Sequence, residues 1–272
     1  MFEDSRLTKL LGTMILAVII IGAIGSEVLD LGGVFEPPTL LFLLNILFLS
    51  AMSFVVAYIS MRSYLASGLL SVLMIGSGLL QFGSTSLIAG FLRDLPGGAN
   101  ATVTVHNIGA LVAGLFQLGG SALSVKGHAP NVSWIRLKGA LAYLGVSVLT
   151  VIIVWATLNS TIPTFFVQGT GPTFLRQVVL GVAIVLFAVS SILVYRRYVE
   201  NGSDILYWYS LALMLTAVGL LAVYLQRAVG SPIGWIGRIA QYFGAVYFLV
   251  SVYSASKEMN LRTLEQIEKK VN

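Results

Sequence analysis

The sequence predicts an all-α, polytopic transmembrane helix bundle of about eight spans with both termini cytoplasmic. Three observations predict it. The first is composition: 57% of the 272 residues are hydrophobic and 10% are charged, with a mean hydropathy of +0.91. Soluble domains carry about 25% charged residues. Eleven acidic and sixteen basic side chains cannot cover a water-exposed surface of this size, so the solvent is lipid. The second is run length: the apolar stretches last about 20 residues, the length at which a helix crosses hydrocarbon. The third is the distribution of Lys and Arg among the loops, which favours one side.

The first stretch, about 10–29, is as long as a full span and lacks a small-residue cleavage pattern, so it reads as a retained first helix. The second, about 39–61, is entered through Pro37 and Pro38. The third covers about 65–92, the fourth 103–125, the fifth 139–161 and the sixth 174–195. The seventh covers 205–227 and the eighth 232–255. Turn residues punctuate the joints: Gly32 and Gly33, Pro96 with Gly97 and Gly98, Pro130, Gly171 with Pro172, Gly202, Gly230 with Pro232. No run alternates with period two for long enough to suggest a barrel strand. No loop is long enough to hold a soluble domain. Residues 1–256 thus form the transmembrane domain, and 257–272 a cytoplasmic tail.

With the N-terminus inside, twelve of the sixteen basic residues fall in inner segments. The remaining four, Arg93, Arg176, Arg227 and Arg238, fall on or near the outer side. That asymmetry is the positive-inside pattern for an even number of spans in a cell membrane. The net charge of +5 reflects this loop bias rather than a nucleic-acid surface. The tail is polar and helix-forming, and Leu261, Leu264, Ile267 and Val271 recur at helical spacing. Such a stripe either pairs with a second copy as a short coiled coil, making a homodimer, or lies on a surface helix that solubilises the end.

Chemistry-bearing residues are sparse. The absence of cysteine excludes disulfides and thiolate chemistry. His106 lies at the outer edge and His128 in an inner loop, so the two cannot share a haem or a metal. No Lys lies inside a span to hold retinal. No cofactor is expected, and no nucleotide loop, catalytic triad or carboxylate pair points to an enzyme.

Polar side chains at membrane depth therefore carry the functional argument. Arg238 lies roughly 9–12 Å inside the eighth span, at 1.5 Å per residue. By depth its natural partner is Glu27, with Glu36 and Asp94 as loop alternatives. Either this is an ion pair locking first helix to last, or Arg238 touches a ligand, or it snorkels to the interface. Gln241 and Tyr242 share its helix face one turn deeper. Gln81 and Gln117 fall near mid-membrane, Asn45 in the second span, and His106 and Asn107 where the fourth enters. These residues either line one polar cavity open to the outer face or make separate interhelical hydrogen bonds. The fourth span also carries Gly109, Ala110, Ala113 and Gly114, and the third Gly76, Gly78 and Gly83, so these two helices are expected to pack closely. Gly119 and Gly120 could break the fourth span, as glycines do at transporter sites. Trp134, Tyr207, Trp208, Tyr209 and Trp235 suit interfacial belts.

Segment 230–249, GSPIGWIGRIAQYFGAVYFL, adds a resemblance. Its Trp, Gly-Arg, Gln-Tyr, Gly and Tyr pattern, entering the cytoplasm as a helix, resembles the last span of membrane-associated sensor domains. Those domains stand at the N-terminus of multidomain sensor histidine kinases of archaea and bacteria, often before PAS domains. The resemblance is firm over these residues and otherwise one of kind. It implies a sensor whose last helix carries a signal to an output module, with Trp235, Gly237, Arg238, Gln241, Tyr242 and Gly244 as the positions carried over. The sequence ends at Asn272 with no PAS, kinase, cyclase or phosphodiesterase domain. A sensor of this kind is then either part of a longer protein or acts in trans on a kinase or other output protein. The expected function is an integral membrane sensor module reading a small molecule, lipid or membrane state. The alternatives are a small transporter or permease using the same cavity, and a structural subunit without ligand.

Overall fold

The computed structural model describes residues 2–35, 37–126, 133–167, 170–226 and 230–271, with side chains for most of 6–255. Among these residues eight helical spans are long and apolar enough to cross a membrane. The elements are α1 (Phe2–Val28), α2 (Pro38–Leu44), a π-helical stretch (Asn45–Ala51), α3 (Met52–Ser67), α4 (Leu70–Leu92) and α5 (Gly98–Lys126). Then come α6 (Ile135–Leu158), strands β1 (Phe166–Val167) and β2 (Gly171–Pro172), α7 (Phe174–Asn201), α8 (Asp204–Leu225) and α9 (Pro232–Val271). α2, the π-helical stretch and α3 make one span. Glu36, Arg227, His128 and the side chains of the tail lie outside the described residues.

Successive spans run antiparallel. One end of the bundle, called here the near end, holds the start of α1 and the exit of α9. The opposite end is the far end. Large apolar side chains face outward along the spans, among them Ile21, Val151 and Val185. Water would not tolerate such a surface, whereas hydrocarbon does.

Helix ends correct the sequence reading. The second span runs on past Arg62 to Ser67, and the third starts at Leu70. The stop is Gly68, at φ 71°, whose N–H caps the Tyr64 carbonyl at 2.7 Å. A left-handed residue ends a helix, while an exposed Arg simply rides along its surface. Gly202 ends α7 in the same way at φ 67°, so the sixth span reaches Asn201. α5 begins earlier than expected, at Gly98, and runs unbroken through Gly119 and Gly120. β1 and β2 form an unexpected antiparallel hairpin, pairing Phe166 with Pro172 and Val167 with Gly171.

The core is built from α4, α5, α8 and α9. In α8, 67% of an 18-residue apolar stretch is buried, against 11% of the corresponding stretch in α1. Small residues permit this density. A Cβ on Gly219 would lie 2.6 Å from the Gly237 carbonyl oxygen, so α8 and α9 touch backbone to backbone. A Cβ on Gly109 would lie 2.4 Å from that of Thr85, so the expected close packing of the third and fourth spans is found.

Candidate functional site

At the far end the helices part around a cavity of about 310 Å³. Its walls come from α2 and the π-helical stretch, α4, α5, β1, α7, α8 and α9. The π-helical stretch is a local rearrangement of a kind common at functional sites. It begins at Asn45, which lines the cavity and accepts a 2.8 Å hydrogen bond from the Tyr242 hydroxyl. The β1–β2 hairpin closes on the same region. Asn100 at the start of α5 pins it, its side-chain oxygen accepting the N–H of Phe165 at 2.9 Å and of Phe166 at 3.0 Å. Phe166 joins the lining.

Three arginines line this space: Arg93 at the end of α4, Arg176 in the first turn of α7 and Arg238 in α9. Among the described lining residues none is acidic. Arg238 lies 5.4 Å from the Trp235 ring, a cation–π distance, and the Trp235 ring N–H donates to the Phe35 carbonyl at 2.6 Å. Arg176 is 3% exposed. Its Nη2 donates to the Val223 carbonyl at 3.1 Å, while its Nε meets no partner. Asn107 is 2% exposed, and its Nδ2 likewise meets none. His106 faces Ser86, Nδ1 to Oγ 3.4 Å, and packs on the Phe82 ring at 5.6 Å.

The structure therefore brings Arg238, Gln241, His106, Asn107 and Asn45 to one cavity. Tyr242 reaches it through Asn45, and Trp235 through Arg238. Gln81 and Gln117 do not join it. Gln81 accepts from the Thr150 hydroxyl of α6 at 3.2 Å. Gln117 donates to the Ile75 carbonyl at 3.4 Å and accepts a short bond from the Tyr209 hydroxyl. Both are interhelical ties in the packed interior, where the Nε2 of Gln81 meets no partner. Glu27 sits exposed near the end of α1 and is not among the described lining residues.

The model of the membrane-associated sensor domain family MASE3 matches residues 39–258. The chain belongs to that family. The sensor domain so defined contains every described residue of the cavity wall and the whole membrane-spanning part of α9. The match begins at Thr39, so α1 precedes it. Neither curated proteins nor solved structures gave a match. The glycines of the resembling segment have a packing reason in this domain: Gly237 meets Gly219 of α8, and Gly244 lies against the Ala212 carbonyl, 3.1 Å from where a Cβ would stand.

Arg176 escaped the sequence reading as a site residue. It stands two residues after the start of its helix, and that position suggests an interfacial charge. One signal was available: a cation in the first turn opposes the helix dipole, so it needs another reason to be there.

Proposed function

We propose that this sensor domain reads a small molecule in the far-end cavity and passes the state of that cavity through α9 to an output protein. One observation carries the reading. A single unbroken helix of 40 residues, Pro232–Val271, holds Arg238 and Gln241 in the cavity wall and continues beyond the last span as the tail. At 1.5 Å per residue the rod is roughly 60 Å long. Any ligand that binds one placement of α9 better than another shifts the population toward it, and a rigid helix delivers that shift at its other end.

The loop bias of Lys and Arg supports a near end facing the cytoplasm of a cell membrane. The tail then meets the output protein there, paired with a second copy of itself. A continuous α5 and a near end joined by ion pair and hydrogen bonds favour a sensor over a permease, which needs access from both sides.

The test uses the chain fused after Asn272 to a kinase reporter in whole cells. Output that responds to added small molecules, and that inverts or vanishes when two residues are inserted between Ala255 and the tail, is the expected result. An insertion of two residues turns the helix by about 200°. Output indifferent to that insertion would contradict transmission through α9. The chain has no native cysteine, so Lys269→Cys reports sidedness. Labelling only from the cytoplasmic face is expected.

A further inference from the structure

We propose that the far-end cavity binds a small amphiphilic oxyanion, a carboxylate or phosphate monoester head on an apolar chain or ring. This rests on reading the cavity as the input of the sensor and adds the chemical class of what enters it.

Two buried donors set the head group. Arg176 and Asn107 both belong to the cavity wall, and the Nε of the first and the Nδ2 of the second lack a hydrogen-bond partner, on side chains that are 3% and 2% exposed. Snorkelling does not account for Arg176, because a snorkelling guanidinium ends in water or head groups. Its partner through Nη2 is a neutral carbonyl, that of Val223. A carbonyl satisfies one donor and leaves the charge of a buried guanidinium uncompensated, which is costly. An oxyanion supplies both the missing acceptor and the missing charge, and guanidinium–oxyanion bonds are among the strong hydrogen bonds. A cationic ligand would meet the like charge of Arg176 in the wall.

The rest of the wall sets the body. Leu41, Phe42, Leu49, Val103 and Phe166 give an apolar surface beside the donors. About 310 Å³ lies at the small end of ligand pockets and suits one short chain or one ring system, not a two-chain phospholipid.

The experiment follows thermal unfolding of the full chain in nanodiscs of zwitterionic lipid, with decanoate, decyl phosphate, decanol or decyltrimethylammonium added. Decanol is the control for partitioning into the bilayer. A saturable rise in Tm with decanoate, decyl phosphate or both, and none with decanol or the cation, is expected. A response to only one of the anions identifies the head group. Arg176→Gln and Asn107→Asp should each weaken the anion's apparent affinity by roughly ten- to a hundredfold, the worth of one charge-assisted bond. Asn107→Asp keeps the side-chain shape but removes the donor and sets a carboxylate against the ligand's own, so it tests the site even if Arg176→Gln folds poorly. Equal shifts with decanol and decanoate, no shift with either anion, or undiminished binding in both variants would overturn the proposal. The kinase fusion separates this from the signalling route. Anion binding with flat reporter output removes transmission through α9 and leaves the ligand class standing. Reporter output driven by decanol alone does the reverse.

Discussion

At the near end, polar groups of α1, α8 and α9 find each other; at the far end, several polar residues belong to a cavity wall. Lys9 of α1 meets Asp204 of α8 at 2.5 Å. The Tyr207 hydroxyl donates to the Lys9 carbonyl at 2.5 Å and lies 2.6 Å from the Thr13 hydroxyl. Tyr247 of α9 reaches the Gly12 carbonyl at 3.2 Å, and Ser251 the Ile205 carbonyl at 2.9 Å. This network ties α1, α8 and α9 where the last helix leaves the bundle. Around the far-end cavity, the buried Nε of Arg176, Nδ2 of Asn107 and Oε1 of Gln226 lack partners. Polar residues in a membrane bundle thus serve two purposes. Some hold helices together, and others are held by the helices for something else.

The difference can be attacked by mutation. The largest effect is expected where both ends depend on one contact. Gly237→Leu would drive a side chain into the Gly219 carbonyl and the Ala222 side chain, which already lie 2.8 and 2.9 Å from a Cβ at that position. Separation of α8 from α9 should cost about 3 kcal/mol or more and remove most folded protein, read by size-exclusion profile and Tm. Next, Tyr207→Phe leaves the Lys9 carbonyl and the Thr13 hydroxyl without this partner. A loss of about 1–2 kcal/mol is expected in thermal or denaturant unfolding. Lys9→Met should cost less, under about 1 kcal/mol, because the ion pair is partly exposed, with side chains 21% and 42% accessible. A larger loss from Lys9→Met than from Tyr207→Phe would show that charge, not hydrogen bonding, closes the near end.

How much of this was legible beforehand follows from what a membrane enforces. Span number was legible because hydrocarbon demands about 20 apolar residues per crossing. The boundary at Gly68 was not, since Arg62 and Gly68 are both plausible stops and only the left-handed backbone at Gly68 decides. Depth along a span was legible, and it selected Arg238 and Gln241 together with His106 and Asn107. Rotation about the helix axis was not. Gln117 and Gln81 have suitable depth, but they face Tyr209 and Thr150 in the packed interior. Arg176 was hidden for a different reason. Its surroundings come from Val223, some 47 residues on, and from Phe166 in a hairpin that local pattern did not announce.

The smallest effect on folding is also the most direct test. Arg176→Gln removes a buried cation whose hydrogen bond to Val223 is its one tie to the described scaffold. Removing that burial cost offsets the lost bond. Unfolding of Arg176→Gln and Tyr207→Phe should be measured side by side in nanodiscs free of added amphiphile. The account predicts that Tyr207→Phe melts below the parent chain, while Arg176→Gln melts at or above it. An Arg176→Gln protein that melts as low as Tyr207→Phe or lower would make Arg176 structural mortar, and the distinction between the two ends would fail.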